Sequence, residues 1–328
     1  MNVIVTTTIN PVTEAIELFD AMQDWHLIVI GDIKTPKNYK LKRGTYVSPE
    51  DQKKYDPALS DAIGWNCIQR RSFGLLWAHD MHADIVAVVD DDNIPYKDWG
   101  NNLMINNAVK VNYYHTNSPA FDPIGATNES HLWHRGFPLQ LLANRHYPAP
   151  KNKTITPVIQ ADFWNGDPDI DAVCRLEHKP ECKFDPDYFP MASDKWGPFN
   201  SQNTFLSNSV LKDYFLFPHI GRMDDIWASY YVQAMGHRVV YAKASVYQQR
   251  NEHNLINDMR AEYIGYENNL NLIQDLAQDP ARISWYLPAQ TCQAFSLYQK
   301  HFSKNANPGI TPVINHSKNK LQYCTVVK

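Results

Sequence analysis

Seven mostly apolar residues, Ala83-Asp84-Ile85-Val86-Ala87-Val88-Val89, run directly into Asp90-Asp91-Asp92-Asn93. A β-branched run of this length reads as a strand buried on both faces, the kind found where helices cover a parallel sheet. Two similar runs precede it, at residues 3–9 and 26–30. A helical pattern over 12–22 (Val12, Ile16, Phe19, Met22) lies between them, and a second is expected over 63–79. Strand–helix–strand–helix–strand within about 90 residues calls for parallel pairing and an α/β sheet.

The remaining segments extend this pattern. Residues 34–54 are polar and read as an ordered surface loop. From 112 to 200 the chain is broken by Pro and Gly and rich in aromatics, which suits a mixed sheet with long functional loops. A helix is expected over 224–235, a strand over 239–246, and helical segments over 270–276 and 289–302. The resulting division is residues 1–267 as the main domain and 268–328 as a short helical C-terminal extension packed on it.

Composition excludes several classes. With 328 residues, 44% hydrophobic and 20% charged, the chain can bury a large core and is not a disordered protein. A net charge of −4 argues against a broadly basic nucleic-acid binder. No run reaches the roughly 18–20 apolar residues of a membrane span, and the first residues read as a strand instead of a signal peptide. The expected setting is therefore cytoplasmic. The five cysteines, Cys67, Cys174, Cys182, Cys292 and Cys324, form no C-x-x-C pair and suit reduced thiols; a Cys174–Cys182 bridge is the alternative in an oxidising compartment.

The acidic cluster carries the chemistry. Ligand sites in open α/β sheets lie at the carboxyl ends of strands. Three carboxylates there repel one another unless they share a cation. Residues two apart in extended chain point the same way, so Asp90 and Asp92 can clamp one divalent metal while Asp91 reaches elsewhere. Oxygen-only ligation favours Mg²⁺ or Mn²⁺, ions that also bind substrate phosphates. A phosphatase-type aspartyl nucleophile is disfavoured, because Ile94 stands where that family carries Thr.

Taken with Gly31-Asp32 and the stretch Asn66-Cys67-Ile68-Gln69-Arg70-Arg71, this pattern resembles the GT-A-type nucleotide-sugar glycosyltransferases. More specifically it resembles the STELLO-type glycosyltransferases and, more distantly, the reversibly glycosylated polypeptides (UDP-arabinopyranose mutases) of plants. The resemblance continues through Asp162-Phe163-Trp164-Asn165-Gly166-Asp167-Pro168-Asp169-Ile170-Asp171, Phe199-Asn200-Ser201-Gln202-Asn203-Thr204, Gly221-Arg222-Met223-Asp224-Asp225-Ile226-Trp227 and Gln249-Arg250-Asn251-Glu252-His253-Asn254. These stretches fall in order within about residues 3–260. The resemblance implies a GT-A-like fold, a mixed, mainly parallel sheet flanked by helices. It also implies first strands that cradle a nucleotide, and a D-x-D that holds Mn²⁺ or Mg²⁺ against the diphosphate. The strand-like first residues set an expectation of no N-terminal anchor of the STELLO kind, which puts a Golgi setting in doubt.

Roles for single residues follow. Thr7, Thr8, Asp32 and Asn66 are expected to meet the base or ribose. Arg70, Arg71 and Arg250 are expected to reach base or diphosphate, since a departing diphosphate needs cationic neighbours. His253 is the candidate third metal ligand. Asp225 is the expected general base toward an acceptor hydroxyl, with Asp224 assisting; helix-start stabilisation is the competing reading of that pair. Asp167, Asp169 and Asp171 would accept from donor-sugar hydroxyls, with Trp164 as an apolar platform, and Asn200 and Gln202 would orient the acceptor. The expected partners are a nucleotide-sugar donor, a UDP sugar in particular, and a glycan or other hydroxyl acceptor; a homodimer is left open. The alternatives are a pyranose/furanose mutase and a non-catalytic glycan-binding or scaffold protein.

Overall fold

The computed structural model describes residues 1–249 and 254–303. The N-terminal elements are β1 (Asn2–Thr8), α1 (Glu14–Ala21), β2 (Trp25–Gly31), β3 (Thr45–Val47), α2 (Pro49–Tyr55), α3 (Pro57–Ile63), α4 (Arg71–Asp80) and β4 (Ile85–Val89). The middle contributes β5 (Asn93–Pro95), β6 (Val109–Tyr114), β7 (Lys151–Ile155), β8 (Ile159–Gly166), α5 (Ala172–Glu177), β9 (Met191–Ser193) and β10 (Asn203–Ser207). The last are α6 (Asp224–Ala234), β11 (Val239–Gln248), α7 (Leu255–Gln278) and α8 (Ala289–Phe302).

The strands form one sheet in the order β3-β2-β1-β4-β10-β8-β11-β9-β6-β7, with β5 paired to β11. From β3 to β4 every pairing is parallel. β10 then runs antiparallel to both β4 and β8, so β8 points the same way as β4, and β11 is parallel to β8. As a consequence, the carboxyl ends of β1, β2, β4, β8 and β11 lie along one edge, and the loop before β10 joins them there. The residues that follow these ends are Asp32, Asp90 and Asp167, with Thr8 and Gln248 as the last residues of β1 and β11.

Apolar patterning accounts for the core. Val3, Ile4 and Val5 of β1, Ile28, Val29 and Ile30 of β2, and Val86 to Val89 of β4 are all fully buried. Helix α4 lies close over β1 and β2 because Gly74 has no side chain; a Cβ there would run into Val5 and Ile30.

Three expectations change. The polar stretch 34–54 is not all loop: Thr45–Val47 adds an edge strand, and α2 starts on a capping box in which Ser48 and Asp51 bond each other's backbone N–H with Pro49 at the first turn. The expected helix over 63–79 is broken, because α3 ends at Gly64, which has a φ of 82° that L residues disfavour. The division at 267/268 falls inside α7, a single helix of 24 residues, and not at a chain break. Cys67, Cys174 and Cys182 are free thiols, so no Cys174–Cys182 bridge forms, whereas Cys292 is disulfide-bonded, against the expectation of reduced thiols throughout. Among the described residues no helix is long and apolar enough to cross a membrane.

Candidate active site

Three cavities meet at the common sheet edge. The first, about 200 Å³, is lined by Thr7, Thr8, Asp32, Asn66, Ile68 and Asp91, among others. The second is a groove of about 790 Å³ that shares Asn10 and Asp91 with the first. The third, about 200 Å³, brings Asp90, Asp92, Gln202, Asp224 and Asp225 together, sharing Asp92 and Gln248 with the groove and Ile68 with the first cavity. These residues come from seven separate chain segments and line three adjoining cavities.

The three aspartates of the cluster divide as their alternation dictates. Asp91 turns toward β1: its carboxylate accepts from Thr8 Oγ1 and from Asn10 Nδ2 at 3.1 Å, and its backbone carbonyl accepts from Thr13 Oγ1. Asp90 and Asp92 face the third cavity. Asp90 N donates to the Gln202 carbonyl at 3.2 Å, and Asn93 Nδ2 donates to the same carbonyl at 2.8 Å, which fixes the turn against the loop before β10. Burial raises the Asp90 carboxyl above its ordinary range, opposed by the Arg71 charge. The Asp90–Asp92 pair offers hard oxygen donors only, and among the described residues no set of three His, Cys, Asp or Glu is assembled for a metal. Such a pair fits Mg²⁺ or Mn²⁺, which complete their shells with phosphate oxygens and water. His253 and Arg250 lie outside the described residues.

Asp32 both lines the first cavity and builds it. Its carboxylate accepts from the backbone N–H groups of Ile33, Asn66 and Cys67, at 2.6, 2.9 and 3.0 Å. This ties the end of β2 to the segment between α3 and α4, where Asn66 sits at a φ of 57°.

The two expected phosphate arginines are enclosed. Arg70 is 0% exposed and donates to Gln52 Oε1, to Ser60 O and Oγ, and to Gly64 O, with its guanidinium 3.7 Å over the Trp65 ring. It holds α2, α3 and α4 together and does not reach the cleft. Burial lowers its pKa to about 10. Arg71 donates to Ser201 O at 2.6 Å, to Ser201 Oγ at 3.0 Å, and to Asp90 Oδ1 at 2.7 Å. Arg71 therefore acts on Asp90, behind the cavity, in place of a direct contact with diphosphate.

The two carboxylates of the acidic pair opening α6 are bonded unequally. Asp225 is held on both oxygens: by Arg135 Nη2 at 3.1 and 3.2 Å, and by the Ser201 N–H and Oγ at 2.9 and 3.1 Å. Among the described residues, the side-chain partner of Asp224 is Gln69, whose Nε2 donates to Oδ2 at 2.7 Å. Burial, and secondarily the neighbouring Asp225 charge, push the Asp224 carboxyl up to about 7, while Arg135 and Gln69 pull the other way. Asp224 is thus the less committed carboxylate of the two.

Most of the expected sugar-binding loop is structural. Trp164 is 2% exposed, packed by Phe163, Phe184 and His134, and its Nε1 donates to Gln202 Oε1 at 2.7 Å; it is no open platform. Asp169 is fully buried, bound by Arg135 Nε and by Asn200 Nδ2 at 2.9 Å. Asp171 caps α5 by accepting from Cys174 N and takes the Trp133 indole N–H at 2.7 Å. Asn200 is spent within this network, its Oδ1 accepting from Gln202 N. Asp167 lines the groove and pairs with Arg175, and Gln202 lines the third cavity. Arg135, Gln69, Ser201 and Gln248 line the third cavity, and no local sequence signal gave them a place there. Arg135 contacts Asp169 and Asp225 across 34 and 90 residues, a separation that no local motif encodes.

The mixed sheet flanked by helices, with acidic loops gathered at the carboxyl edge of its parallel half, is an α/β fold. No family model matches the chain. Among curated proteins it is similar to two from Arabidopsis thaliana, "Probable glycosyltransferase STELLO2", 23% identical over 254 residues, and "Probable glycosyltransferase STELLO1", 22% identical over 254 residues. Each match covers 71% of this chain and 33% of the relative, so the chain spans about a third of the length of the curated relatives it matches. Among solved structures it is similar to glucosyl-3-phosphoglycerate synthase from Mycobacterium tuberculosis. The complex with phosphoglyceric acid gives a TM-score of 0.42 at 13% identity, covering 84% of this chain and 80% of that one. The complex with Mn²⁺, UDP-glucose and phosphoglyceric acid gives 0.45 at 13%, covering 83% and 80%.

Proposed function

We propose that the chain is a metal-dependent glycosyltransferase domain, moving a sugar from a nucleoside-diphosphate donor, as in a UDP sugar, to a hydroxyl of a glycan. The observation that carries this reading is the order of chemistry along the first and third cavities, which adjoin at Ile68. A nucleobase cavity (Thr7, Thr8, Asp32, Asn66) leads past Asp91 to a carboxylate pair (Asp90, Asp92) and on to a second acidic pair (Asp224, Asp225). That sequence of chemistries follows the parts of a nucleotide sugar from base through diphosphate to the reacting carbon. The two curated relatives, by their printed descriptions, support the same class.

In this reading Asp90 and Asp92 hold Mn²⁺ or Mg²⁺, which supplies positive charge for the departing diphosphate. Arg71 favours the ionised form of Asp90 and aims it. Asp224 takes the proton of the acceptor hydroxyl as that oxygen attacks the anomeric carbon, a role suited to a carboxyl held near neutrality. Asp225, clamped by Arg135 and Ser201, positions the start of α6.

The test is thermal unfolding of the chain with Mn²⁺ and a panel of nucleoside diphosphates. Ligand at a hundredfold above its dissociation constant should raise stability by about 2.7 kcal/mol. Asp92→Ala should abolish the Mn²⁺-dependent part. Acceptor-dependent release of the nucleoside diphosphate then supports transfer, whereas ring isomerisation without release identifies a mutase. A chain that binds no nucleotide in this assay overturns both enzymatic readings and leaves a glycan-binding protein.

A further inference from the structure

The large groove beside Asp91 and Asp92 has a one-sided lining. Glu14, Asp91, Asp92, Asp167 and Glu181 contribute carboxylates, and no Lys or Arg stands among its described lining residues. At its inner end lies Gln248, which is 2% exposed and lines both the groove and the cavity of Asp224. Its Oε1 is buried with no hydrogen-bond partner among the described residues. A buried amide oxygen left unpaired costs free energy, so the position is open to a donor group from a bound molecule.

Carboxylate and amide oxygens accept hydrogen bonds and do not donate them. A molecule that fills this groove must therefore bring the donors, as hydroxyls or ammonium groups. It must also tolerate negative potential. A cation on Asp90 and Asp92 offsets those two, and Arg175 offsets Asp167. Glu14 and Glu181 remain on the wall, and the hydrogen bond from the Tyr247 hydroxyl to Glu181 at 3.2 Å leaves the Glu181 charge in place.

We propose that this groove is the acceptor subsite and that it selects a carbohydrate without anionic groups, an amino sugar most strongly and a neutral chain next. The proposal rests on the transfer reading above, in that it takes the occupant of a groove opening onto the catalytic cavity to be the acceptor. Uronates and phosphorylated sugars are rejected by charge.

The experiment titrates three tetrasaccharides of matched length into the full chain, with and without Mn²⁺ and UDP. One is neutral, one is built of glucosamine and one of uronic acid. The uronate should bind at least about tenfold more weakly than the amino sugar. Raising salt from about 50 to about 500 mM should narrow that gap, because exposed charges are screened. Glu14→Gln combined with Glu181→Gln should narrow it at low salt; both side chains are exposed, and an unchanged melting temperature confirms the fold. The proposal is overturned if the uronate binds as tightly as the amino sugar, if the double variant leaves the gap intact, or if none of the three binds. In each of those cases a nucleotide-induced stabilisation would still stand, so loss of the acceptor assignment is distinguishable from loss of the donor site.

Discussion

The Arg71 guanidinium lies 2.7 Å from the Asp90 carboxylate, with the arginine 1% and the aspartate 17% exposed. The pair joins the first residue of α4 to the first residue after β4, and the arginine's remaining bonds run to Ser201. Arg71→Leu would leave Asp90 buried without a counter-charge and strand the Ser201 carbonyl. Breaking a buried pair from one side costs on the order of 3–5 kcal/mol. Urea unfolding of Arg71→Leu should show a loss of that size. Arg71→Lys, which keeps the charge but not the fork, should lose less.

Arg70 separates a structural from a donor-binding role. Its contacts are Gln52, Ser60, Gly64 and the Trp65 ring, all internal. Arg70→Ala should destabilise the chain by roughly 3 kcal/mol or more, through lost packing and orphaned acceptors. Nucleotide affinity of the folded fraction should stay within about twofold, since no cavity loses a lining group. Calorimetric titration well below the melting temperature checks this; a fall in affinity of about tenfold would return Arg70 to the donor site.

Buried carboxyls predict how stability varies with pH. Burial raises both Asp162 and Asp171 from an ordinary 3.8 to about 7. A group whose folded-state pKa is raised contributes stability that is complete below its unfolded value and is lost as pH climbs through the folded one. Each therefore costs up to about 1.4 kcal/mol per pH unit between about 4 and about 7. Denaturation midpoints should fall across that window as pH rises. Asp171→Asn, which keeps the shape of the carboxyl, should flatten the slope; a slope equal to that of the parent chain would show that Asp171 does not titrate there.

What was legible in the sequence was what local pattern encodes. The strand-end aspartates, the Thr7–Thr8 end of β1, Asp32 and the acidic start of α6 all converge on the cleft, because each sits at the carboxyl end of a patterned strand or the first turn of a patterned helix. The misread residues are those whose partners are remote. Asp169 and Asp171 look like solvated turn carboxylates until Arg135 and Trp133 close on them. Arg70 and Arg71 sit on a helix start that pattern alone cannot tell from surface. The edge strand and α2 were within reach, since Ser48-Pro49-Glu50-Asp51 is a capping box with its proline in the first turn.

The division of labour at the start of α6 gives the last prediction. Asp224 has one described side-chain partner and a pKa near 7; Asp225 has its oxygens filled by Arg135 and Ser201. If Asp224 is the base, it works only when deprotonated. The rate then rises with pH and levels off above about 7, the opposite direction to the stability curve. Asp224→Asn should lower kcat by about 10²–10⁴ with donor binding retained, and should remove that rising limb. Asp225→Asn should act differently. It removes one of the two carboxylates on Arg135 and leaves Asp169, so the folded state should lose some stability, while surviving enzyme keeps a rising limb displaced to lower pH because the Asp225 charge no longer raises Asp224. Initial rates against pH for the two variants decide between them: a rising limb lost in Asp225→Asn and kept in Asp224→Asn would return the base to Asp225.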